Sequence, residues 1–341
     1  MKSLPPLDIE HNINHAPHVV ILGAGASLAA FPNGDINGRI IPLMRNIVEV
    51  VGLRELLADA GVTKGLDDFE GLYNRLVLSN DNHTLIKEIE RQIHEYFAAM
   101  RLPEEVTIYD LLILSLREKD VIATFNWDPF LAQAFKRNRS IGRLPRIVFL
   151  HGNTEVGVCL EHRSSGFLDQ TCSVCGNKME PSQLLFPVGQ KDYNLDPFIQ
   201  NEWSQIEIAL ESAYLVTIFG YSAPSTDVEA RSLLLNRWQK NPTRDFAEID
   251  IVDIKDREKI ESTWRDFFVR QHYGVFSDVM HTLSFRHPRR SCEAFAMATL
   301  QQSPWQENNY PETGRLEEIH AWLQPLLDEE MTGTLSGKPC P

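Results

Sequence analysis

No apolar run in the 341 residues approaches the ~20 needed to cross a bilayer as a helix. The opening residues, MKSLPPLDIEHNINHAPH, lack the apolar h-region of a secretory leader, so a cytoplasmic protein is expected. Positive charge is scarce: 33 Lys and Arg stand against 47 Asp and Glu, a formal net charge of −14. Nucleic-acid affinity comes largely from neutralising phosphates, so no nucleic-acid partner is predicted. The one compact basic cluster, Arg286-His287-Pro288-Arg289-Arg290, is too small to change that. It reads as a solvated loop or as the partner of a local carboxylate or phosphate. Cysteines number only five, an odd count that argues against a disulfide framework in a cytosolic chain. Internal repeats and low-complexity tracts are absent.

What is present is the composition of a globular protein, 43% hydrophobic and 23% charged, in a chain long enough for one large core with insertions. Apolar, β-branched runs at His18–Leu22, Val121–Thr124, Ile147–Leu150, Leu215–Phe219 and Ile249–Ile254 read as buried parallel strands. Helical spacing alternates with them at Asp128–Lys136, Pro197–Ser212, Asp227–Gln239 and Arg257–Gln271. Such alternation predicts an α/β fold with a Rossmann-like, doubly wound parallel sheet. The first two strands are too far apart for one crossover helix. Periodic stretches at Ile40–Val51, Leu66–Leu78, Leu85–Ala99 and Val106–Leu116 place a helical insertion over 35–118. A second insertion, 154–182, is poor in apolar residues. The expected organisation is a nucleotide-binding domain over 1–290, C-terminal helices over 291–327 and a disordered tail over 328–341.

Two local patterns carry chemistry. Gly23-Ala24-Gly25-Ala26-Ser27 follows the first strand directly. Small residues there let backbone approach a pyrophosphate at a helix N-terminus, though the same run also suits a tight strand-to-helix turn. Leu28 stands where a third glycine would fall, and no GKS or GKT follows, so a P-loop is excluded. In the second insertion, Cys159-Leu160-Glu161-His162 precedes Cys172-Ser173-Val174-Cys175-Gly176. Two knuckles of this spacing offer four ligands to one Zn2+, leaving no open position, so the site is read as structural.

The patterns recur in a fixed order. The glycine turn comes first, then Thr124-Phe125-Asn126-Trp127-Asp128 and His151-Gly152, each after a strand. The knuckles follow, then Gly220-Tyr221-Ser222 and Asp253 at two further strand ends. This set resembles the sirtuin (Sir2) family over about residues 18–256, outside the helical insertion. The resemblance implies NAD+ as substrate, with Gly23, Ala24, Gly25 and Ser27 cradling its pyrophosphate. It implies that Asn126 positions the nicotinamide ribose and the nucleophile, that Asp128 holds the carboxamide, and that His151 is the general base. Gly220 and Ser222 would meet phosphate or ribose, and Asp253 the adenosine ribose. These residue types suit the chemistry. Nicotinamide leaves as a neutral ring, and a positioned nucleophile and nearby dipoles favour an oxocarbenium-like transition state. A neutral imidazole accepts a proton near cellular pH. Structural readings stand beside these: Asn126, Asp128 and Asp227 could each cap a helix, and His151 could close a strand.

The sequence also departs from the family. The G-I-P-D-F-R type segment is replaced by Phe31-Pro32-Asn33-Gly34-Asp35 and Gly38-Arg39, leaving Arg39 or Arg45 to meet phosphate. Where an acyl-lysine peptide would add as a strand stands Leu185–Tyr193, in which Pro187 lacks a ladder donor. Trp127 replaces a smaller aliphatic residue and narrows the pocket. NAD+ cleavage survives these changes better than deacylation, so the expected activity is an NAD+ glycohydrolase releasing nicotinamide and ADP-ribose. Phe186–Tyr193 and Gly220–Ala230 look like the Sir2-like branch of bacterial anti-phage systems, which implies a gated effector. The partners expected are NAD+, an activating or inhibiting protein and a second copy of the chain, with the helical insertion and C-terminal helices as candidate gates. The alternatives are a sirtuin-type deacylase or ADP-ribosyltransferase, and a non-catalytic NAD+ or ADP-ribose sensor.

Overall fold

Short aliphatic runs become strands and the longer amphipathic stretches between them become helices, as their spacing requires. The computed structural model describes residues 15–79, 82–187, 193, 196–223, 227–333 and 335–338. Parts of the Phe186–Tyr193 and Gly220–Ala230 stretches, and the end of the C-terminal tail, lie outside the described residues. In chain order, β1 (His18–Leu22) leads into α1 (Ala24–Ala30), and α2 (Ile47–Val51), α3 (Arg54–Asp59), α4 (Phe69–Leu78), α5 (His83–Ala98) and α6 (Ile108–Ser115) form the insertion. Then come β2 (Val121–Thr124), α7 (Phe130–Asn138), β3 (Arg146–Phe149) and three short strands, β4 (Val156–Cys159), β5 (Ser164–Phe167) and β6 (Glu180–Pro181). The rest is α8 (Pro197–Leu210), β7 (Leu215–Phe219), α9 (Val228–Gln239), β8 (Glu248–Val252), α10 (Arg257–Trp264), β9 (Tyr273–Phe276), α11 (Leu283–Arg286), α12 (Ser291–Thr299) and α13 (Leu316–Thr332).

The central sheet runs β3-β2-β1-β7-β8-β9, with every neighbouring pair parallel. The chain builds outward from β1 to one edge, then returns to fill the other. Strand order therefore reverses between β1 and β7, the arrangement of a Rossmann-like doubly wound sheet. A small antiparallel sheet, β5-β4-β6, occupies the second insertion.

Alternation along β1 explains why its sequence carries no polar face. Val19 and Ile21 enter one apolar cluster, with Trp203 of α8 and Leu234 and Trp238 of α9. Val20 and Leu22 enter the other, with Phe69 of α4, Ile89 and Ile93 of α5 and Ile113 of α6. Successive side chains point to opposite faces, and both faces are dry. The helical insertion is thus the layer under one face of the sheet. Its last helix is fixed by a capping box in which Thr107 and Asp110 exchange hydrogen bonds. Asp110 also accepts from Arg137 Nε (2.6 Å) and Asn138 Nδ2 (2.8 Å), tying α6 to α7.

The C-terminal region corrects one expectation and decides between two others. The tail was expected to lose order from residue 328, but α13 continues to Thr332. The 286–290 cluster reads as a solvated loop or as the partner of a carboxylate or phosphate; Arg289 and Arg290 are buried and take carboxylate partners. The two observations have one cause. Arg289 Nε and Nη2 each lie 2.7 Å from the Glu330 carboxylate, and Arg290 Nη1 lies 2.8 Å from it. Arg290 Nη2 reaches Glu329 at 3.2 Å. Burying ions is costly unless they are paired and further hydrogen-bonded; Arg289 also donates to the Leu116 and Arg143 carbonyls. This clasp seats Ile319, Leu323 and Leu327 of α13 against Leu114 of α6. The edge strand β9 was not anticipated, because it is only half-buried and Gly274 breaks its apolar run.

Candidate functional site

All six strands of the central sheet end at one cavity of about 710 Å3, a size typical of small-molecule sites. Gly23, Ala24 and Gly25 follow β1, Asn126 follows β2 and His151 follows β3. Gly220 and Ser222 follow β7, Asp253 follows β8 and Ser277 follows β9. Open α/β sheets offer their ligand crevice at this carboxyl edge, where strand order reverses. Eight of the sequence-predicted site residues therefore share one wall system, and Asn126 and His151 are among them.

The glycines at the turn answer first to each other. Gly25 N–H donates to the Gly220 carbonyl at 3.0 Å, and Gly23 N–H to the Phe219 carbonyl at 3.0 Å. A Cβ at Gly23 would lie 2.5 Å from Tyr221 Cα, and one at Gly25 would lie 2.8 Å from Gly220 Cα. The two strand ends cross so closely that no side chain fits between them. The turn that opens α1 onto the cavity is set by this crossing.

Ser27 and Asp128 sit elsewhere than the resemblance implied. Neither borders the cavity, and both are buried behind its wall. Ser27 Oγ donates to Asp128 Oδ2 at 2.6 Å. Burial pushes the Asp128 carboxyl up to about 6, against the lowering effect of the Ser27 hydroxyl. Asp128 reaches a helix N–H only weakly, Phe130 N at 3.4 Å, so capping is a minor part of its role. Asn126 caps nothing: its Nδ2 donates to the Gly23 carbonyl (2.9 Å) and to Ser27 Oγ (3.0 Å). Asp227 precedes α9 but makes no side-chain cap bond there; it borders the cavity and accepts from Tyr221 Oη at 3.4 Å.

His151 is held among aromatic rings. Phe125 meets it edge-on at 4.8 Å between ring centres, Tyr193 lies parallel at 6.0 Å, and His151 Nε2 is 3.4 Å from Tyr193 Oη. Phe125 in turn stacks on Tyr221 at 4.2 Å. Trp127 borders the cavity beside Phe186, 4.8 Å away. Of the two arginines considered for phosphate, Arg45 borders the cavity with Lys255, whereas Arg39 pairs with Asp35 at 3.6 Å. Asp253 accepts from Lys255 N at 3.0 Å, and its Oδ2 lies 3.5 Å from Lys255 Nζ.

Sequence reading missed several contributors. Tyr109 on α6 carries no motif and read as one more core residue of the insertion. Asn153 follows His151-Gly152 directly, a position that could have flagged it. Its amide donates to the backbone carbonyls of Asn126 (3.2 Å) and Asp128 (2.7 Å) and so fixes the loop that carries them. Glu70 reaches the cavity from α4, a segment with no motif; Tyr221 lies within the Gly220-Tyr221-Ser222 motif and Tyr193 ends the Leu185–Tyr193 segment, but neither side chain was given a role.

The second insertion brings Cys159, His162, Cys172 and Cys175 together, with all ligand atoms within 4.8 Å of one another. Cys159 Sγ lies 3.5 Å from His162 Nδ1 and 3.9 Å from Cys175 Sγ, and Cys172 Sγ lies 3.8 Å from His162 Nδ1. A tetrahedron with Zn–S bonds of ~2.3 Å has edges of about 3.8 Å, so the four donors fit a zinc ion. The Ser164 hydroxyl, with backbone N–H groups of Cys175 and Val174, lowers the Cys172 thiol to about 6, toward the thiolate a metal binds. With four protein ligands, zinc here would hold the β4–β6 fold and take no part in chemistry. Replacing Cys172 by Ser should cost the bound zinc, read by elemental analysis. It should also speed proteolysis within 156–181 by about tenfold or more while the central sheet keeps its unfolding midpoint. Full zinc content in that variant would refute the ligand assignment.

No family model and no curated protein matches this chain. Solved structures of Sir2 homologues are similar to it. One is a Sir2 homologue–NAD complex, 14% identical, covering 86% of this chain and 95% of that chain at a TM-score of 0.43. Another is a mutant Sir2 homologue with 2'-O-acetyl ADP-ribose, 14% identical over 86% of this chain and 100% of that chain at 0.44. A third comes from work on sirtuin substrate affinity, 16% identical over 81% and 95% at 0.39.

Proposed function

We propose that this protein binds NAD+ in the cleft at the carboxyl edge of the sheet and breaks its nicotinamide–ribose bond, with water as acceptor. One observation carries the reading: Asn126 and His151 border the same cavity as the Gly23–Gly25 turn and the ends of β7 and β8. In this scheme the turn's backbone and Arg45 meet the pyrophosphate, and Asp253 meets the adenosine ribose. The aromatic wall of Phe125 and Trp127 receives the nicotinamide. Both N–H groups of the Asn126 amide are engaged within the protein, which leaves its Oδ1 to accept from a ribose hydroxyl or the attacking water. As the C1'–N bond breaks, its electron pair neutralises the pyridinium ring. The water oxygen bonds C1', and its proton passes to His151. Pro187 borders the cavity and has no N–H for a peptide strand to pair with, which favours water over an acylated peptide. Anti-phage defence, implied by the sequence resemblance, would be this same chemistry held behind a trigger.

The test is nicotinamide release from NAD+ alone by wild type, Asn126→Ala and His151→Ala. Each variant should fall by about 100-fold, the loss usual for one positioned polar group or general base. Release that depends on added acetyl-lysine peptide would assign a deacylase. NAD+ binding without turnover, unchanged in Asn126→Ala, would assign a sensor. Equal turnover in all three proteins would overturn the site.

A further inference from the structure

The helical insertion lines the cleft with Leu43, Met44, Arg45 and Glu70, and one further side chain of it reaches the Asn126 amide from behind the cleft wall. Tyr109, on α6, is buried, and its hydroxyl lies 2.6 Å from Ser27 Oγ and 3.4 Å from Asn126 Nδ2. The hydrogen-bond inventory around Ser27 has one consistent solution. Asp128 is an acceptor when ionised, so the single Ser27 proton goes to Asp128 Oδ2 at 2.6 Å. The two remaining lone pairs of Ser27 then take the Tyr109 proton and one Asn126 N–H, the latter at 3.0 Å. The second Asn126 N–H goes to the Gly23 carbonyl at 2.9 Å, an atom that can only accept. With both donors engaged, the amide cannot flip, and its oxygen makes no hydrogen bond among the described residues.

We infer that Tyr109 is a positioning residue, which through Ser27 locks the Asn126 amide with its carbonyl oxygen presented to the cleft. The inference rests on the proposed role of Asn126 and deepens it: the insertion supplies the part that sets this acceptor. Without the Tyr109 hydroxyl, Ser27 keeps its bond to Asp128 but loses the donor that fixes its oxygen from the other side, and Asn126 Nδ2 loses its contact with Tyr109 Oη, so the Asn126 N–H no longer has a fixed acceptor. Tyr109 stays in place by packing edge-on against Phe31 at 5.7 Å, so Tyr109→Phe removes the hydroxyl and keeps the ring.

The experiment compares wild type, Tyr109→Phe, Ser27→Ala, their double variant and Tyr310→Phe, with steady-state NAD+ kinetics and hydrogen exchange of the Asn126 side-chain amide by NMR. Tyr310 is a half-buried tyrosine whose hydroxyl bonds the α6 carbonyl of Leu111 at 3.1 Å, so it controls for loss of a tyrosine hydroxyl near that helix. Tyr109→Phe should lower kcat about tenfold, the value of one hydrogen bond, with KM for NAD+ within about twofold of wild type. Its Asn126 amide protons should exchange about tenfold faster. The double variant should fall no further than the worse single one, as members of one network do, while Tyr310→Phe keeps wild-type kcat and amide exchange. Unchanged kcat and unchanged exchange in Tyr109→Phe would overturn the positioning role. Faster exchange in a protein that releases no nicotinamide would support the lock and remove the NAD+-cleavage reading.

Discussion

Arg289→Met should lower stability by about 3–4 kcal/mol, a fall in unfolding midpoint of roughly 4–6 °C for a chain of this size. The Arg289 side chain is fully buried and Glu330 is nearly so, with 0% and 5% of the two side chains exposed. Methionine fills a similar volume but leaves the Glu330 carboxylate inside the protein with one cation fewer. Arg290 still reaches it at 2.8 Å, which keeps the expected loss toward the low end of the range for a broken buried pair. The Leu116 and Arg143 carbonyls also lose their donor. Replacing both Arg289 and Glu330 by methionine should recover at least half of the loss, because two well-packed apolar side chains leave no stranded charge. Thermal unfolding of the two variants decides the matter. An Arg289→Met midpoint within 1 °C of wild type would show that α13 is not clasped in this way.

A second variant should have a still larger effect. Gly220→Ala places a methyl group 2.1 Å from Ala26 N and 2.4 Å from the Gly25 carbonyl carbon, in a backbone held at φ +64°. Those atoms belong to the first turn of α1, so relief requires that helix to move away from the sheet. The cost should exceed about 4 kcal/mol, the range reached only by severe steric or burial defects. Gly142 gives an internal comparison. Its φ is also +64°, but a Cβ there meets nothing within 4 Å. Gly142→Ala should therefore cost only the backbone strain of a non-glycine residue at φ 64°, ψ 179°, about 1–3 kcal/mol. Denaturant melts without any ligand separate the two. Equal losses would mean that the crossing of β1 and β7 ends does not set these glycines, and would return them to a purely ligand-binding role.

The sequence made the sheet legible because its strands are short, aliphatic and covered on both faces, so the buried pattern is nearly local. The same holds for the zinc knuckles, whose ligands lie within seventeen residues of chain. Residues at strand ends were also readable, since the carboxyl edge of such a sheet is where side chains meet a ligand. What escaped depends on distant segments. Whether Arg289 and Arg290 were solvated or paired with a carboxylate stayed open because their partner Glu330 lies 41 residues beyond Arg289 and is brought back only by α13. Ser27 and Asp128 looked like ligand contacts because the motif cannot show that each binds the other. Tyr109 and Asn153 escaped because a single buried hydroxyl or amide leaves no periodic trace. The half-buried edge strand β9 escaped because Gly274 interrupts its run.

The dry underside of β1 has a bearing on protein engineering. Val20, Leu22 and Ile122 share one apolar cluster with the helices of the insertion, so that segment is a floor for the cleft and not an ornament hung from it. Trimming residues 35–118 to a short linker would lay this underside bare to water and strip away Tyr109 in the same cut. Transplanting the cleft into a leaner scaffold therefore calls for a substitute floor, greasy across its upper surface and bearing one hydroxyl beneath Ser27.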